Sequence, residues 1–113
     1  MNNEKLIDLT IERFSTSDIY TRNREIIFLQ NVQKDSIGPG NLNHLGVLLM
    51  SLQNYGYEGT ATTRILYPSV YSFLDEVKSK YEKSNRTLLY SFIQILKQYI
   101  TEYEQTKVIQ KVG

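Results

Sequence analysis

From Leu89 onward, apolar side chains return at Phe92, Ile93, Leu96, Ile100 and Tyr103, in steps of three and four that a helix gathers onto one side and a strand scatters to both. The same rhythm runs through most of the chain. Leu6, Ile7, Ile11 and Phe14 mark a short first helix, with Glu4, Asp8 and Glu12 stepping along its other side. Ile19, Ile26, Ile27, Leu29 and Val32 mark a second, ending near Lys34, and Leu42, Leu45, Leu48, Leu49, Leu52 and Tyr55 a third. Val70, Leu74, Val77 and Tyr81 give a fourth before the final stripe. Apolar faces of this kind are buried only against one another. The expected fold is therefore all-α: residues 1–113 as a single domain, a four- to five-helix bundle with mainly antiparallel neighbours.

The breaks between the stripes have local causes. Asp35-Ser36-Ile37-Gly38-Pro39-Gly40, with two glycines and a proline, cannot sustain a ladder of backbone bonds and reads as a loop, with Asn41 as the N-cap of the third helix. Gly56 closes that helix, which is expected to be central, and Gly46 inside it permits close approach by another helix. Ser15 with Asp18, or Ser17 alone, caps the second helix. Residues 57–67 fit a short helical turn or a loop equally, because Gly59-Thr60-Ala61-Thr62-Thr63 prefers caps or strands. Pro68 suits a first helical position, and Ser84-Asn85 breaks the chain before the last helix. Glu76 with Lys80, and Glu82 with Arg86, are acid-before-base pairs four apart. Residues 104–113 either extend the last stripe through Val108, Ile109 and Val112 or fray as a tail.

Composition removes whole classes of chemistry. With no Cys and only His44, the usual structural zinc sites and cysteine nucleophiles are out of reach. The Glu4, Asp8 and Glu12 face reads as solvated rather than as a cation site. No G-x-S-x-G elbow accompanies His44, which sits in a helical first turn where the dipole disfavours its charge. Gly38-Pro39-Gly40-Asn41 matches no phosphate-cradling motif. Asp75 with Glu76, and Glu102 with Glu104, are neighbours that point different ways around a helix. No catalytic residue, cofactor or metal is expected. Net charge is only +1, and the basic run Lys78, Lys80, Lys83 and Arg86 alternates with Asp75, Glu76 and Glu82, so nucleic acid is a poor candidate partner. The start Met1-Asn2-Asn3-Glu4-Lys5 lacks a signal-peptide run and no span is apolar enough for a membrane, which points to a cytoplasmic protein.

What is unusual in the composition is tyrosine: nine of them, and no Trp. Tyr67, Tyr71, Tyr81, Tyr90 and Tyr99 cannot all share one core with Val70, Leu74, Val77, Leu89, Phe92 and Leu96, so some rings are expected at the surface. Tyr is common at protein interfaces because its ring buries well while its hydroxyl tolerates water. The candidate partner-binding residues are Tyr55, Tyr57, Tyr67 and Tyr71, where the irregular segment meets the fourth helix. The other reading edges the core with these rings.

The stretch Arg64-Ile65-Leu66-Tyr67-Pro68-Ser69-Val70-Tyr71, running on to Lys83-Ser84-Asn85, resembles the third-to-fourth helix region of the cytosolic immunity proteins that protect lactic-acid bacteria from their own pediocin-like bacteriocins. The resemblance covers about a fifth of the chain. It implies a four-helix antiparallel bundle, no catalysis, and recognition of a membrane-receptor–bacteriocin complex through the C-terminal helix and tail. Residues 104–113 lack the aromatic ending that several members carry, and no functional residue carries over. The expected function is non-enzymatic: binding of a partner macromolecule, most plausibly a protein, to inhibit, protect or regulate it. The alternatives are a small helical DNA-binding regulator and a self-associating phage- or plasmid-encoded accessory protein, a homo-oligomer.

Overall fold

The computed structural model describes residues 7–11, 19–36, 45–80 and 85–112, and their side chains except at 85 and 105–112. Six helices follow in order: α1 over residues 7–11, then α2 Ile19–Ser36, α3 Leu45–Tyr55, α4 Ala61–Leu66, α5 Pro68–Lys80 and α6 Asn85–Val112. Among the described residues there is no strand, and the architecture is an all-α bundle. Asp35 and Ser36, expected to open the loop, instead close α2, while the rest of that loop lies outside the described residues, as do Ser15, Ser17, Asp18, Asn41, His44, Tyr81, Lys83, Ser84, Glu4, Glu12 and Glu82.

Several boundaries fall where local chemistry puts them. α5 begins on Pro68, whose fixed φ suits a helical start and whose missing N–H costs nothing there. α3 ends at Tyr55 because Gly56 takes φ 61° and donates its N–H to the Leu52 carbonyl at 3.0 Å, the left-handed ending that glycine adopts without strain. Residues 57–67 resolve into a turn and the short α4, which is started by a capping box: the Thr60 hydroxyl accepts the Thr63 N–H while the Thr63 hydroxyl accepts the Thr60 N–H, each at 3.1 Å. The backbone of α6 remains helical to Val112, where the sequence left fraying open.

Neighbours run around the bundle in the order α2, α5, α4, α3, α6 and back to α2. α2 and α5 are antiparallel, since Asp35 and Ser36 at the end of α2 bond to Val70 and Tyr67 at the start of α5. α2 and α6 run in the same sense. Glu25 bonds to Ser91, Phe28 stacks on Phe92 with centroids 4.8 Å apart, and Gln33 bonds to Tyr99. Phe73 of α5 tilts against Phe92 at 5.8 Å and 53°, so three aromatic rings from three helices form the middle of the core. Full burial of such a side chain contributes about 1.5–3 kcal/mol.

Two expectations about faces change. On α6 the buried line is Leu88, Phe92, Ile95, Leu96 and Tyr99, while Leu89, Ile93, Ile100 and Tyr103 pack at its edge. The helix is apolar around much of its girth and lies between α2 and α3, so its apolar spacing alone does not fix its rotation. α3 is not central: it packs against α6 and α4, and a Cβ added at Gly46 would meet no atom within 4 Å. No described helix approaches there.

One helix start is satisfied from outside its own element. Residue 67, ahead of α5, is a tyrosine, which cannot serve as an N-cap. The Asp35 carboxylate of α2 takes that role, its Oδ2 accepting the Val70 N–H at 2.9 Å. A carboxylate is favoured there by both the orphan amides and the helix dipole.

Candidate functional site

The turn after α3 is drawn inward. Gly59 adopts φ 60°, and a Cβ on it would lie 2.5 Å from Cζ and Oη of Tyr71, so only glycine lets the turn lie against that ring. The Tyr71 hydroxyl in turn meets Ser51 Oγ of α3 at 2.8 Å and Thr63 Oγ1 of α4 at 3.2 Å, and those two oxygens are 3.0 Å apart. Hydroxyls both donate and accept, so a closed triangle satisfies three buried polar groups.

Arg64 fastens this corner on its outer side. Its guanidinium makes a two-pronged pair with Asp75 at 2.9 and 3.1 Å, donates from Nε to the Glu58 carbonyl at 2.7 Å, and lies 5.1 Å from the centroid of the Tyr71 ring. The hydrogen bonds from Arg64 hold the Asp75 carboxyl below its usual range, opposed by a smaller desolvation effect. Both partners are well exposed, which limits the worth of the pair.

Of the four tyrosines expected to form a contact patch, three lie in the core. Tyr67 and Tyr71 are fully buried, and Tyr57 is 8% exposed. Burial pushes the hydroxyls of Tyr57 and Tyr67 up to about 12, against hydrogen bonds with the Leu89 backbone and the Ser36 side chain that act the other way. Only Tyr55, at 60% exposure, stands in solvent. The four do not form an exposed patch, because the Gly56 and Gly59 turns fold the segment onto α5. Tyr90 is exposed, whereas Tyr99 is buried, so the tyrosines divide between core and surface.

What spacing did not single out is the outward face of α3. Gly46, Val47, Met50, Gln53 and Asn54 are all exposed, Val47 by 43% and Met50 by 60%, and their intervals of three and four put them on one side. The signal was present in the sequence as an absence: no Lys, Arg, Asp or Glu occurs between Asp35 and Glu58. Shorter charge-free runs occur at residues 65–74 and 87–96. Lys78 lies 3.5 Å from Glu58 and Lys80 3.0 Å from Glu76, so two members of the basic run face carboxylates.

Among the described residues, two open grooves can be traced on the surface. One, of about 430 Å³ between α2 and α5, is lined by Ile27, Asn31, Lys34, Pro68, Ser69, Ser72, Phe73 and Glu76. The other, of about 490 Å³, is lined by Asp8, Ile11, Arg22 and Ile26. Neither holds the converging nucleophile, base and orienting group that covalent catalysis needs. Among the described residues no three His, Asp or Glu are grouped so as to hold a metal ion, and no helix is long and apolar enough to cross a membrane. The buried carboxylates have structural partners: Glu25 accepts from Ser91 Oγ at 2.9 Å and Glu102 from Gln98 Nε2 at 2.7 Å. No protein-family model matches the sequence, and neither a curated protein nor a solved structure matches it.

Proposed function

We propose that the protein is a non-enzymatic, cytoplasmic helical bundle that binds a partner protein, and so inhibits, protects or regulates it, through the outward face of α3 around Val47 and Met50. The observation that carries this reading is an exposed, uncharged apolar face on a helix whose opposite face, with Leu48 and Leu52, is fully packed. Val47 and Met50 are large apolar side chains left in water, and an interface would cover them. The corner of Ser51, Thr63 and Tyr71 anchors α3 to α4 and α5, so the face is presented on a rigid support. Immunity against a bacteriocin is one concrete form of this function, supported by the resemblance over Arg64 to Tyr71.

A photo-crosslinking amino acid at position 50, compared with one at the exposed Ser79 of α5, tests the reading in the producing cell. Protein adducts from position 50 and none from position 79 support it. No adduct from position 50, or equal adducts from both, overturns it.

A further inference from the structure

We infer that the groove between α2 and α5 binds a short, extended peptide with free ends, its carboxylate at Lys34 and its amine at Glu76. This goes beyond the reading of the α3 face, which shares no residue with the groove. The antiparallel packing of α2 on α5 lays the lining out in rows: Lys34 beside Ser69, Asn31 beside Ser72, and Ile27 beside Glu76. Seven residues of α5 separate the end rows, a rise of about 10 Å, which an extended chain of about three residues spans. The volume of about 430 Å³ falls in the range of small-ligand sites.

The two ends carry opposite charges, and each is open to a ligand. Lys34 is exposed, and among the described residues no carboxylate pairs with it. Its neighbour Asp35 is buried and turned to the Val70 N–H. Glu76 shares an exposed pair with Lys80, which is worth little and yields to a ligand amine at small cost. The middle row suits a peptide bond: Asn31 spends its Nδ2 on the Ile27 carbonyl, which leaves Oδ1 to accept an N–H, and the exposed Ser72 hydroxyl both donates and accepts. Ile27 and Phe73 form an apolar floor for a side chain. A fatty acid would leave Glu76 and the middle row unused, and a phosphate would leave the floor bare.

Titration of the isotope-labelled full chain with the tripeptide Ala-Leu-Ala, followed by amide shifts in NMR, tests the inference. The expected result is saturable shifts at Asn31, Ser69 and Ser72. Lys34→Gln and Glu76→Gln should each weaken binding about two- to fivefold, the worth of one exposed charge contact. The same peptide blocked at both ends should bind about four- to twentyfold more weakly, since both contacts are lost. Lys97→Gln, which removes a charge on α6 outside the groove, should change nothing. All three side chains are exposed, so the variants should melt like the parent and a lost shift is not a lost fold. Absence of saturable shifts overturns the inference, as does equal affinity in Lys34→Gln or for the blocked peptide. A peptide blocked at its amine alone that binds as well as the free one also overturns it, assigning the groove to the C-terminal tail of a protein. Octanoate that saturates the same amides more tightly overturns it in favour of an acyl chain. None of these outcomes bears on the α3 face, which the crosslink at position 50 tests by itself.

Discussion

The inward corner after α3 and the outward face of the same helix sit a few residues apart and are built on opposite rules. In the corner, polar groups are buried and each has a partner: Tyr71, Ser51 and Thr63 close a triangle, and Gly59 exists to let the ring in. On the outward face, apolar groups stand in solvent: Val47 is 43% and Met50 60% exposed. The contrast teaches where sequence can be changed without unfolding the bundle. Substitutions in the corner are read by stability, and those on the face by association.

The sharpest separation comes from Tyr71→Ala. Removing a fully buried ring should cost about 3–5 kcal/mol in denaturant unfolding, against no measurable cost for Met50→Ser, where an exposed change stays within about 0.5 kcal/mol. Equal losses at the two positions would erase the distinction. Gly59→Ala comes next. It places a methyl into the Tyr71 ring and demands a left-handed φ from a residue with a Cβ, a combined cost of about 2–4 kcal/mol by the strain and overpacking scales. A smaller penalty would mean that the ring swings away freely.

Alkali probes the buried tyrosines without mutation. Tyr57 and Tyr67 titrate near 12 in the folded chain and near 10 when unfolded, so the folded state holds protons that the unfolded state releases. Their contribution is complete below pH 10 and is lost as pH climbs toward 12. Melting temperature followed across that window should fall steeply, and by less in Tyr57→Phe. A flat profile would place both hydroxyls in water. The smallest of these effects in the interior is Asp35→Ala, which removes the borrowed cap of α5 and should cost about 1–2 kcal/mol; no change would show that Val70 finds water instead.

Local signals were legible and tertiary ones were not. Pro68 and Gly56 announce a helix start and a helix end because the reason lies within the residue itself. The all-α class follows likewise from spacing that any single helix displays. The rotation of α6 and the burial of Tyr67 and Tyr71 depend on which helices arrive beside them, and apolar spacing is silent on that. Tyr71 goes inside because Ser51 and Thr63, 20 and 8 residues away in sequence, offer it hydrogen bonds. Conversely, the charge-free run around α3 was visible from the start, but it fits a buried centre and an exposed seam equally well until the packing shows one side open. Of the four tyrosines expected to make a contact patch, only Tyr55 stands in solvent, while Tyr57, Tyr67 and Tyr71 are core residues.

Val70 donates its amide to a side chain 35 residues earlier, and that single bond has a consequence for substitution. The first turn of α5 draws one of its hydrogen-bond acceptors from the end of α2, so a change that displaces Asp35 is felt at the start of a helix far along the chain as well as at its own position.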